Sequence, residues 1–170
     1  MAELAAGLED GALPALEFLM VNANRFGARG VGALGGVFHR GVAPALQTLN
    51  VGATPIGDEG AVALAAALAT GKPSHALNVT FCDVGKEGAM ALAATLPAAG
   101  QGCRVIAMNN RIGLAGQAAL VEALEAKHGP QPGHAAIAVG QANLLPWSYP
   151  LTRALGRGWR RVHESGRFTI

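Results

Sequence analysis

The sequence predicts an α/β solenoid. Parallel strands line an inner, concave rim, and α-helices line an outer, convex rim. Three observations carry this reading. The chain repeats itself, each repeat changes its hydrophobic period once, and a pair of glycines marks the change. Leu16-x-x-Leu19-x-Val21-x-x-Asn24-x-Phe26-Gly27-x-x-Gly30-x-x-x-Leu34-x-x-x-Phe38 returns from Leu46 to Leu68, again from Leu77 to Leu96, and again from Val105 to Leu124. The strand positions Leu19, Leu49, Leu77 and Val105 lie 30, 28 and 28 residues apart. A fixed step of this size marks stacked units, none of which can bury its apolar face alone.

The first half of each unit alternates. Leu19 and Val21 point to one side and Phe18, Met20 and Asn22 to the other, as in a strand with one buried face. The second half advances by four residues, as in Gly30, Leu34 and Phe38, which is one stripe of a helix. Between the halves sits a polar slot, held by Asn24, Thr54, Cys82 and Asn110, whose side chain is placed to bond the backbone of the neighbouring turn. Gly27, Gly57, Gly85 and Gly113 follow it, where a tight turn asks for unusual backbone angles. Asp58 and Asp83 lie near helix starts, where an acceptor or a negative charge is favourable. The helices are rich in alanine, which favours helix and lets neighbours approach closely.

These residues resemble the leucine-rich repeat, and the 28-residue step resembles its ribonuclease-inhibitor-like subfamily, in which L-x-x-L-x-L-x-x-N/C-x-L precedes a full α-helix. Cys82 in the asparagine slot fits the N/C alternation. The resemblance implies a leucine-rich-repeat solenoid in the form of a partial horseshoe. The pattern lapses at Ser74 and Gly102, where the first leucine is absent, and at Ala107, so looser packing is expected in those copies.

The organisation that follows is an array over residues 1–144. It comprises a partial N-terminal repeat at 1–15, four repeats at 16–133 and a fifth strand at 134–144, with a tail at 145–170. Met1–Asp10 reads as the helix of a repeat without its strand and as a cap. Ile137-x-Val139-x-x-Ala142-x-Leu144 reads as the fifth strand, after which the register fails. The tail holds both tryptophans, the tyrosine and five basic residues against one acidic, so it carries +4 while residues 1–144 carry −2. Poor order, a cap formed by Leu151, Leu155, Trp159 and Val162, and basic recognition are the readings open for it. An array that starts in mid-repeat and ends in different sequence also reads as a piece of a longer one.

The length suffices for a sizeable core. No stretch reads as a membrane span or a secretory leader. Cys82 and Cys103 have no zinc-spaced partners and read as reduced and structural, which suits a cytoplasmic setting. There is no Gly-Lys-Ser/Thr phosphate loop, no H-E-x-x-H and no serine in a nucleophile elbow. The five histidines are scattered, and Glu122 and Glu125 read as a solvated face. No catalytic residue, metal site, cofactor or small-molecule substrate is expected. A slightly acidic body disfavours nucleic acid.

The expected function is therefore protein binding through the concave strand surface. Its outward columns are Phe18, Thr48, Ala76 and Arg104; Met20, Asn50, Asn78 and Ile106; and Asn22, Gly52, Thr80 and Met108. The candidate contact residues are Phe18, Met20, Asn22, Asn50, Asn78, Thr80, Arg104, Ile106 and Met108, amide and hydroxyl groups in the middle with apolar groups at the flanks. The alternative is a regulator of a GTPase. The repeat class also builds Ran GTPase-activating proteins, which this chain resembles in period and in the N-x-I-G-x-x-G turn at Asn110–Gly116.

Overall fold

The structure, a computed structural model, describes residues 14–99 and 103–128, and Ala6 apart from these. The fifth strand, the tail, Gly102 and all but one residue of the N-terminal cap reading lie outside the described residues. Four strands, β1 (Phe18–Met20), β2 (Thr48–Asn50), β3 (Ala76–Asn78) and β4 (Arg104–Ile106), alternate with four helices. These are α1 (Gly27–His39), α2 (Gly57–Leu68), α3 (Lys86–Thr95) and α4 (Gly113–His128). The strands form one parallel sheet in the order β1-β2-β3-β4, and each helix packs on the next. The chain is an α/β repeat solenoid, as its periodicity requires.

The sheet register is the repeat register. Leu19 pairs with Leu49, Leu49 with Leu77, and Leu77 with Val105. One residue of slip would turn every strand leucine to solvent, so the alternation fixes the alignment. Leu49, Leu77 and Val105 are fully buried, as are Leu34, Leu92 and Leu120 from the helix stripe. The layer between sheet and helices is one continuous core, shared by adjacent repeats. Burying each of these leucines stabilises by about 1.5–3 kcal/mol.

The third and fourth repeats are packed as tightly as the second, contrary to the expectation from their lapsed leucines. Ala107 is buried, and the Ser74 hydroxyl reaches the carbonyl of Leu46 at 3.4 Å. The looser copy is the first, where Leu16, Leu19 and Val21 are only partly buried. Its position at the edge of the described sheet, not its sequence, accounts for this. A second departure is at the end of α3. The leucine spacing predicts helix through Leu96, but Pro97 turns the chain into a short 3-10 segment at Leu96–Ala98.

The polar slot ties repeat to repeat. Asn110 Oδ1 accepts the N–H groups of Cys82 at 2.9 Å and Val84 at 3.0 Å from the preceding turn. Its Nδ2 donates to the carbonyls of Val79 at 2.7 Å and Ala107 at 3.0 Å. The Cys82 thiol donates to the carbonyl of Val51 at 3.3 Å, and Thr54 Oγ1 accepts the Asn24 N–H at 3.4 Å. Among the described residues the Asn24 side chain donates only within its own turn, to the carbonyls of Val21 and Asn22.

The turn glycines follow expectation in three copies: Gly27, Gly57 and Gly113 have φ of 58°, 61° and 61°. Gly85 does not. Its φ is −95°, and the left-handed position in that copy falls on Asp83 at φ 60°. Glycine is needed at 85 for space instead, since a Cβ there would lie 2.7 Å from Asp58 Oδ2.

Asp58 has a different role from the one its position suggests. It lies in the first turn of α2, but its Oδ1 accepts the N–H groups of Gly85 at 2.6 Å and Gly88 at 2.9 Å, at the start of α3. The carboxylate thus caps the next helix, which has no capping side chain of its own. Asp83 caps nothing among the described residues and pairs with Arg111 at 2.7 Å.

Asn110→Ala leaves two buried N–H donors and two carbonyls unpaired and is expected to cost about 3 kcal/mol, whereas Asn24→Ala costs less than about 1 kcal/mol. Urea unfolding of the two variants checks the difference. Equal losses would show that the slot does not bind one repeat to the next.

Candidate functional site

The sheet turns one face to the helices and the other outward. Strand alternation puts the three predicted columns on the outward face, and two of them are read directly from the register. Phe18, Thr48, Ala76 and Arg104 stand side by side, as do Met20, Asn50, Asn78 and Ile106. The third column, Asn22, Gly52, Thr80 and Met108, follows two residues further along each strand.

The face changes character along the array. Phe18 and Met20 are 56% and 57% exposed, and Asn22 and Arg104 are also exposed. Asn50, Asn78, Thr80, Ile106 and Met108 are half-buried among their neighbours. The two central amides are partly committed to the fold. Asn50 Oδ1 accepts the Gly52 N–H and Asn78 Oδ1 accepts the Thr80 N–H, both at 2.9 Å. These bonds tie each side-chain oxygen to the backbone two residues on. Among the described residues nothing accepts from their amide NH2 groups, which leaves a pair of donors in the middle of the face.

Phe81 was not among the sequence-predicted contact residues. It is 60% exposed and has φ of 55°, a left-handed conformation that costs a bulky residue about 1–2 kcal/mol. The turn imposes it, since Ala23, Ala53 and Asn109 in the other copies have φ of 56°, 54° and 54°. The Phe81 N–H is held by the carbonyl of Met108 at 3.0 Å. The signal was present in the sequence: the other copies hold two alanines and an asparagine in this slot, and a bulky phenylalanine is out of pattern there. The strand columns passed over it because it lies in the turn beyond them.

The face carries little charge. The Asp83–Arg111 pair at the turns is largely exposed and contributes little to stability. Among the described residues no three His, Cys, Asp or Glu side chains come together as a metal site would need, and no helix is long and apolar enough to cross a membrane. Glu122 and Glu125 are exposed on α4. Cys82 and Cys103 are buried, and neither is in a disulfide. Burial pushes the Cys82 thiol up, while backbone hydrogen bonding at Thr54 and Ala53 acts the other way.

Comparison with known proteins agrees with this architecture. Residues 43–65 and 75–93 match the family described as Leucine Rich repeat. The solved structure of leiomodin-1 actin-binding site 2 is similar, with a TM-score of 0.65 over 96% of this chain and 92% of that one. The two are 14% identical, so the likeness is one of fold. No curated protein matches the chain in sequence.

Two outcomes are expected. Phe81→Asn should raise stability by about 0.5–1 kcal/mol, because asparagine tolerates the left-handed turn; a fall in thermal midpoint would show that the ring packs usefully. The raised Cys82 pKa favours the neutral thiol in the folded state. Its contribution is whole below the ordinary thiol range and is lost as pH rises through the folded pKa, since unfolding then releases a proton. Iodoacetamide should therefore label Cys82 slowly at neutral pH unless denaturant is present, as peptide mass spectrometry reads directly.

Proposed function

We propose that the chain, an α/β repeat solenoid that matches the leucine-rich repeat family over residues 43–65 and 75–93, is a non-catalytic protein-interaction module whose partner docks on the outward, concave strand face. The observation that carries this reading is the face itself. An uncharged central strip offers the amide donors of Asn50 and Asn78, with Ile106 and Met108 on one flank and Phe18 and Met20 on the other. Apolar groups beside unpaired donors suit a folded protein surface or an extended peptide that brings carbonyl acceptors. Exposed apolar groups gathered on one face support the same reading. We place the chain in the ribonuclease-inhibitor-like branch on its 28-residue step and its Asn/Cys slot, and in the cytoplasm on its buried cysteines, which form no disulfide.

Leiomodin-1 actin-binding site 2 shares the fold, which makes actin a concrete first probe. The GTPase-regulator alternative gains no separate support from the turns, because the left-handed residues Ala23, Ala53, Phe81 and Asn109 recur in every copy.

The test must spare the fold. Asn50→Asp with Asn78→Asp keeps the oxygen that accepts from Gly52 and Thr80 and replaces the amide donors with negative charge. The doubly substituted chain should keep its circular dichroism spectrum and lose at least tenfold in affinity for any partner of the native chain, about 1.4 kcal/mol or more. Actin co-sedimentation and affinity capture with quantified binding are the measurements. Undiminished binding would place the partner elsewhere.

A further inference from the structure

β1 ends the described sheet, and the edge it turns away from β2 has a definite chemistry. Val21 donates to Asn50 at 2.9 Å, Ala23 donates to Gly52 at 2.8 Å, and the Glu17 carbonyl accepts from Gln47 and Thr48. The odd-numbered residues therefore bond to β2. Alternation turns the backbone N–H and C=O groups of Phe18 and Met20 away from β2, where the described sheet offers them no strand.

Among the described residues, Phe18–Met20 carries no feature that guards this edge. The strand Phe-Leu-Met contains no charge and no proline, and it pairs with β2 without a bulge. Such devices are how sheet edges ordinarily avoid pairing with another chain. Phe18 and Met20 are more than half exposed, and Leu19 is incompletely covered where Leu49, Leu77 and Val105 are fully buried.

We propose that β1 pairs antiparallel with β1 of a second copy about a two-fold axis at Leu19. The occupant is chosen by self-complementarity. With Leu19 opposite the second copy's Leu19, Phe18 falls opposite Met20 and Met20 opposite Phe18. Those two pairs are the ones whose backbone groups point outward, so each exchanges two hydrogen bonds, and Leu19 with its counterpart forms the closer, non-hydrogen-bonded pair. On the outward face the arrangement makes two thioether–aromatic contacts, a favourable pairing of sulfur with a ring. No like charges meet within the strands. An isologous contact of this kind closes on itself as a dimer and does not propagate. It joins two four-stranded sheets into one. It does not rest on the partner-binding reading, and its test uses no partner.

Sedimentation velocity of the full chain over a concentration series should show a species of twice the monomer mass. Phe18→Glu and Met20→Lys, made singly, should each return the chain to monomer mass with an unchanged circular dichroism spectrum. Made together they should restore the dimer, because each introduced carboxylate then faces an introduced ammonium across the two-fold axis. A native chain that stays monomeric at every concentration overturns the proposal. So does a dimer that survives both single substitutions, and so does a double variant that remains monomeric while folded.

Discussion

The tie between successive turns is the constraint from which the rest of this molecule follows. Parallel strands three residues long contribute few hydrogen bonds each, and an alanine-rich helix offers little area to its neighbour. What locks one unit to the next is a small polar group placed where two turns meet. Asn110 fills that place most completely, serving donors of the preceding turn with one atom and carbonyls of both turns with the other. Cys82 and Thr54 each reach the preceding turn through a single hydrogen bond. With the turns held in line, Leu49, Leu77 and Val105 are held in line too, and the outward side chains become columns, not a scatter.

A second tie runs through the helix layer. Asp58 belongs to α2 and satisfies the first free N–H groups of α3, so a charge that would ordinarily favour its own helix stabilises the neighbour. Close approach is what makes this reachable. A Cβ at Gly88 would lie 2.7 Å from the Ala61 methyl group, so the two helices touch at a glycine and an alanine.

The architecture was legible because it is periodic. A core position that recurs every 28 residues declares its own neighbours, and the sheet register follows from the repeat register without any knowledge of the turns. What could not be read were the features that belong to one copy only. Nothing in a single Asp58 reveals that its carboxylate reaches forward by one repeat, since Ala28, Lys86 and Leu114 hold the same position elsewhere. In the copy that receives that carboxylate, the left-handed geometry falls on Asp83 and not on Gly85. The candidate face was legible as columns, but the commitment of the Asn50 and Asn78 oxygens to their own backbone was not, because strand alternation says which way a side chain points and not what it bonds. Phe81 escaped because attention to strands overlooks a turn.

The incomplete cover over Leu19 has a kinetic meaning. In a stack whose members touch only adjacent members, a unit with one neighbour is held by half the contacts of a unit with two. Within the described sheet, where Leu19 is less covered than Leu49, Leu77 and Val105, opening should therefore begin at β1 and travel inward. The described units are a row of latches released in sequence, and whatever grips β1 sets the pace for the others.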